Sequence, residues 1–206
     1  MPAPRPDSTC LVTGASAGIG RALAEELARR GYGVTLVARR ADRLNVGAAE
    51  LRERYGVRTE MIPADLEDPE ARRRLPQALK DLGLDVDILV NNAGFGTGGR
   101  VAESDEARET ALVRTNIEAL VSLCSLFVGD MANRHRGAVL NVASTAAFQP
   151  IPGEAAYAAS KAFVLNYTQA LRVELARFGV AVTTLCPGPV KTEFQDVVER
   201  WQRRST

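Results

Sequence analysis

The chain has 206 residues, one domain's worth and enough to bury a sizeable core. With 46% hydrophobic and 25% charged residues its composition is that of an ordinary globular protein, and 26 basic against 25 acidic residues leave a formal charge of +1. That balance excludes a global field drawing in nucleic acid or an anionic membrane surface.

In chain order, "MPAPRPDS" has no apolar signal core, and residues 1–7 read as a loose tail. A strand is expected over 9–14 ("TCLVTG"), a helix over 19–31, a strand over 33–39 and a helix over 41–56. Residues 57–65 lead into a helical stretch, 66–83, which Pro76 is expected to interrupt. A strand over 86–94 runs into a polar glycine turn, and a long helical region covers roughly 103–134. A strand over 137–144, a helix over 154–178 and a strand over 180–188 complete the series. Strands separated by helices predict one α/β domain, 1–206, with a doubly wound parallel sheet covered on both faces. Ligands of such sheets bind at the carboxyl ends of the strands, where "TGASAGIG", "AD", "NNAG", "NVAST" and "CPGPVKT" all fall.

The remaining reactive residues are sparse. Cys10, Cys124 and Cys186 lie far apart in or beside apolar runs, which reads as buried thiols in a reducing compartment, the cytoplasm. The lone histidine, His135, has no ligand-type neighbours at metal spacing, so no metal site is expected, and no apolar run reaches membrane length.

"TGASAGIG" places Gly14, Gly18 and Gly20 between the first strand and the first helix. Gly14 permits the tight turn, Gly18 lets the backbone approach a pyrophosphate, and Gly20 lets helix and strand pack closely. With Ser16, Ala17 and Ile19 they frame a helix N-terminus whose free amides suit phosphate. It is not a P-loop, since no Lys-Ser/Thr pair follows the last glycine. About 20 residues on, a carboxylate would bind a ribose diol; here Ala38 is followed by Arg39 and Arg40. The arrangement favours NADP(H) over NAD(H), with Arg39 the main contact and Ser16 a helper. The alternatives are two surface arginines opening a helix, or Asp42 as the ribose ligand.

"EAAYAASKAF" puts Tyr157 and Lys161 four positions apart on one helix face. Alone, this pair reads equally as a half-buried core tyrosine below a solvated lysine. The full set does not: "TGASAGIG", "AD" at 64–65, "NNAG" at 91–94, Asn116, Ser144 thirteen residues before "YAASK", and "PGPVKT" at 187–192 resemble the single-domain short-chain dehydrogenase/reductase family. The resemblance runs over essentially the whole chain and implies a Rossmann-type fold and interconversion of a small-molecule carbonyl and alcohol with a nicotinamide cofactor. It implies Tyr157 as general acid/base, Ser144 bound to the reacting oxygen, Lys161 on the nicotinamide ribose, and Asn116 holding a water that links Lys161 to solvent. Asn116 as a buried polar bridge to backbone is the alternative. Asp65 and Leu66 are implied at the adenine, Asn92, Ala93 and Gly94 beside the cofactor, and Pro187, Gly188, Val190 and Thr192 at the nicotinamide. A free tyrosine titrates near about 10, and a nearby ammonium lowers such a value by about 1–3 units, so Lys161 is expected to acidify Tyr157.

The chain departs from that family's usual length, which continues through a seventh strand; six are expected here. Residues 189–206 are assigned to a short substrate-lid region, in which Phe194, Val197, Val198 and Trp201 form an apolar stripe. A bare sixth strand would need cover, so a homo-oligomer is expected. A cofactor-binding sensor or scaffold without turnover is the rival function.

Overall fold

The computed structural model describes residues 1–190; Thr192 and the apolar stripe lie outside the described residues. Six strands are present among them: β1 (Ser8–Thr13), β2 (Val34–Ala38), β3 (Thr59–Pro63), β4 (Asp85–Asn91), β5 (Gly137–Val142) and β6 (Val180–Leu185). They form one parallel sheet in the order β3-β2-β1-β4-β5-β6, with Val12 in register with Leu36 on one side and Val90 on the other. β1 and β2 are buried at every position, as a strand covered on both faces must be.

The helices are α1 (Gly18–Arg29), α2 (Ala41–Tyr55), α3 (Pro69–Asp81), α4 (Glu106–Val113), α5 (Ala119–Asn133) and α6 (Ala155–Ala176). Alternate strand residues feed two cores. Val12, Leu36 and Val90 pack with Ala24, Leu27, Leu44 and Leu51 of α1 and α2. Leu11, Leu89 and Val139 pack with Leu75, Leu79, Leu123, Phe127 and Leu171 of α3, α5 and α6. This is the doubly wound parallel sheet that the strand–helix alternation predicted, in the Rossmann form that the family resemblance implied.

Two expectations are corrected and a third is refined. α3 runs unbroken through Pro76: Asp68 caps it by accepting from the Glu70 amide at 2.9 Å, Pro69 occupies its first turn, and Leu75 and Leu79 dock it on the sheet. That packing offsets the one backbone hydrogen bond a proline removes. The helical region expected over roughly 103–134 runs from Glu106 to Asn133, and a π-turn, Arg114–Glu118, interrupts its α-helical ladder between α4 and α5. Lastly, residues 1–7 are not loose. The Tyr32 hydroxyl donates to Pro2 O at 2.7 Å, Arg136 donates to Ala3 O, and Arg5 lies 3.6 Å from the buried Asp87 carboxylate, which also takes a 2.9 Å bond from Arg136.

Candidate active site

The sheet order reverses between β1 and β4, and the crevice at their carboxyl ends collects the sequence motifs. Gly14 has φ +64°, and a Cβ there would stand 2.7 Å from Asn92 Nδ2; one on Gly20 would stand 2.4 Å from Gly14 O. The turn therefore folds tightly under the first residues of α1. That helix begins with neither a capping side chain nor an acid in its first turn, whereas Asp68 and Asp105 cap α3 and α4. Its amides and positive dipole end are left for an outside anion, so the cradle formed by Ser16, Ala17, Gly18 and Ile19 fits the pyrophosphate of a dinucleotide.

Thr13, which sequence reasoning passed over, pins this turn to the next. Its hydroxyl donates to Val90 O at 3.2 Å and accepts from the Asn92 and Ala93 amides at 2.9 and 3.0 Å. Asn92 returns its side-chain amide to Thr13 O at 3.0 Å, so it closes the glycine turn instead of facing outward. The signal was present, since a hydroxyl residue at the last position of a buried strand needs a partner.

Asn116 sits in the π-turn, 2% exposed, with its Oδ1 accepting from Phe95 N and its Nδ2 donating to Phe95 O, both at 3.0 Å. Nδ2 also reaches Ser160 Oγ at 3.0 Å, and Ser160 donates to Tyr157 O at 2.7 Å. Asn116 thus bridges backbone, the alternative left open by the sequence, and Ser160 ties it to α6 one residue before Lys161. A Cβ on Gly94 would lie 2.9 Å from Asn116 Oδ1 and 3.6 Å from Lys161 Nζ, which is why this position is bare.

Ser144 caps a short 3-10 turn, Thr145–Phe148, after β5, and its Oγ hydrogen-bonds both the Ala146 amide (3.1 Å) and the Tyr157 phenol. The Ala143 and Thr145 amides donate to Leu185 O and Pro187 O at 2.8 and 3.0 Å, lacing the loops after β5 and β6 together. Pro187, Gly188 and Val190 are carried to the same edge. Lys161 is 6% exposed; its ammonium donates to Val142 O at 3.0 Å and lies 5.7 Å from the Tyr157 ring centroid. Burial lowers its pKa to about 8, with the Cys186 thiolate form opposing. Burial pushes the Tyr157 phenol up, the Ser144 hydrogen bond works against that, and the Glu154 carboxylate adds to the rise. This direction is opposite to the expected acidification. The Lys161 ammonium is aimed at the Val142 carbonyl rather than at the hydroxyl, and burial sets the direction of the phenol's shift.

At the adenosine end, Arg40 rather than Arg39 reaches Ser16, donating from Nη2 at 2.9 Å. Arg39 points into solvent, 3.9 Å from Glu67. Asp65 accepts from the Glu67 amide at 3.1 Å, and the Leu66 side chain is in the core, so Leu66 can offer the crevice only backbone.

A Rossmann sheet with a bare phosphate cradle and a hydroxyl–phenol–ammonium group on one rim defines a dinucleotide-dependent oxidoreductase. The chain belongs to the short chain dehydrogenase family, which it matches over residues 8–203. An uncharacterized oxidoreductase of Myxococcus xanthus is 37% identical over 186 residues, 90% of this chain and 73% of that protein. A short-chain dehydrogenase from Sphingobium yanoikuyae in complex with NADPH superposes with a TM-score of 0.88 at 36% identity, covering 93% of this chain and 75% of that one. L-Sorbose reductase from Gluconobacter frateurii, complexed with NADPH and L-sorbose, gives 0.85 at 32% identity over 93% and 73%. The protein is accordingly an oxidoreductase acting on CH–OH/C=O groups with a nicotinamide cofactor. None of these relatives lends support to the sensor reading.

Proposed function

We propose that the protein reduces a small-molecule carbonyl, and reoxidises the alcohol, with NADP(H). The observation that carries the reading is the Ser144–Tyr157 hydrogen bond beside a buried ammonium, on the rim that also holds the bare α1 N-terminus. The reduced nicotinamide, when bound, supplies a hydride to the carbonyl carbon. Tyr157 delivers the proton to the carbonyl oxygen from its phenol form, the form a tyrosine holds at neutral pH. Ser144 orients that oxygen and stabilises its growing charge. Lys161 has three donors and gives one to Val142 O, leaving others for the ribose hydroxyls. Asn116 holds the Phe95 backbone and α6 in place around it.

The preference for NADP(H) rests on Arg40, Ser16 and Arg39, a cationic cradle with no carboxylate at Ala38 to repel a 2′-phosphate. NADPH in the Sphingobium and Gluconobacter structures agrees with it. We assign the protein to the cytoplasm, where its three free cysteines would stay reduced; a disulfide-linked form recovered from cells would contradict this.

The test is oxidation of NADPH and NADH, followed by absorbance, with a panel of ketones and aldehydes. NADPH should be consumed with at least one of them, and Tyr157→Phe should lower turnover by about 10²–10⁴ while leaving NADPH binding intact. Arg40→Ala should weaken NADPH about tenfold more than NADH. Turnover by Tyr157→Phe close to the parent would eliminate the proposed acid, and equal losses for both cofactors would eliminate the phosphate clamp.

A further inference from the structure

Buried positions 72, 75 and 79 are the core face of α3, with the spacing of an amphipathic helix. Leu75 and Leu79 obey the pattern; Arg72 breaks it. A guanidinium only 2% exposed among apolar neighbours is costly unless its donors are matched, and an apolar residue of the same volume would serve packing as well or better. Its partners indicate what it does there. Nη1 donates to Leu66 O at 2.6 Å and approaches Glu67 O at 3.5 Å. Nη2 pairs with the Glu118 carboxylate, which is half exposed at the end of the π-turn. Nε is buried with no hydrogen-bond partner. One side chain therefore spans the turn after β3, which carries Asp65 and Leu66, and the π-turn that carries Asn116.

We propose that Arg72 is a positioning residue for the adenosine half of the cofactor, a role that rests on the dinucleotide reading above. The turn 65–68 has few restraints of its own: Asp65 Oδ1 on the Glu67 amide and Asp65 O on the Asp68 amide at 3.2 Å. With Leu66 turned into the core, that turn meets a nucleotide through its backbone and through Asp65. Fixing the Leu66 and Glu67 carbonyls from beneath fixes the peptide planes, and hence the direction of the neighbouring amides. The Glu118 pair anchors the guanidinium at its far end, so the two turns share one brace. Arg72 touches neither the reacting atoms nor the nicotinamide side of the crevice.

The experiment separates the two halves of the cofactor. Arg72→Met fills the same space without charge, and its fold is checked by circular dichroism. Titrations with 2′,5′-ADP and with reduced nicotinamide mononucleotide, followed by calorimetry and NMR, then read each end independently of turnover. Arg72→Met should bind 2′,5′-ADP about tenfold more weakly, a loss of about 1.4 kcal/mol, with the nicotinamide fragment unaffected. Glu118→Gln, a change at a half-exposed position, should weaken 2′,5′-ADP by about two- to threefold and covers the case in which Arg72→Met does not fold. Unchanged 2′,5′-ADP binding in both variants, or equal losses at both fragments, would overturn the assignment. A parent protein that ignores both fragments would remove the dinucleotide reading first, and this inference with it.

Discussion

Lys161 and Tyr157 are displaced from their ordinary titration ranges by the same cause, loss of water, and this has measurable consequences. Lys161 has a pKa of about 8 in the folded protein against 10.5 in its unperturbed form. A base whose pKa falls on folding binds fewer protons in the native state, so its burial opposes folding at neutral pH, and the penalty is relieved as pH rises from about 8 towards about 10.5. Lys161→Met should therefore be more stable than the parent at pH 7 by about 3 kcal/mol, and the gap should close by about pH 10.5. Denaturant unfolding of both proteins across that range measures it; a gap that does not change with pH would mean the ammonium is not desolvated. Tyr157 is shifted upward by the same burial, with the Ser144 hydrogen bond opposing it, so its phenol stays protonated to more alkaline pH than a free tyrosine does.

At the scale of elements, the π-turn decides the site's shape. An extra residue in the helical ladder re-aims Asn116 towards Phe95 and Ser160, as such bulges commonly do where a side chain must leave the regular helix face. Gly94 lies under it. Gly94→Ala puts a methyl 2.9 Å from an Oδ1 that is already held by the Phe95 amide. The asparagine must shift, costing about 1–3 kcal/mol in unfolding experiments. Adding Asn116→Ala should then cost less than the sum of the two single changes; strict additivity would mean the two positions do not meet. The sequence revealed the motifs here because each is local: a glycine turn, a hydroxyl at a strand end, two side chains one helical turn apart. It did not reveal the π-turn, because its i→i+5 ladder has no composition signal. It also named Arg39 the main contact where Arg40 is the one that reaches Ser16, since the different reach of these adjacent residues depends on where α2 starts. The Asn116–Ser160 bond was equally hidden, because it joins residues 44 positions apart that only the packing of the π-turn against α6 brings together.

For the whole molecule, helices do not cover the sheet evenly. Val180 and Val182 of β6 face the α6 side and are buried, while Ala181, Thr183 and Leu185, on the α1–α2 side, are exposed. Val113, Phe163 and Val173 are exposed on α4 and α6, with Phe163 stacked on Tyr167 at 5.8 Å. We propose that a second copy of the chain covers the α4–α6 side. Sedimentation at micromolar concentration should give a dimer or larger species, and Phe163→Glu should shift it towards the monomer; a parent protein that sediments as a monomer would rule the contact out. The parallel sheet covered on both faces followed from strand–helix alternation, a property of the whole chain, whereas the strand order β3-β2-β1-β4-β5-β6 needed the structure.

The fastening of residues 1–7 to Tyr32, Arg136 and Asp87 has a practical corollary. These contacts lie at the amino ends of the strands, so Met1 leaves the molecule from the side opposite the crevice. A purification tag or a surface linker attached there would hang from the floor of the barrel-less sheet, and protein immobilised through it would present its open mouth to the solution.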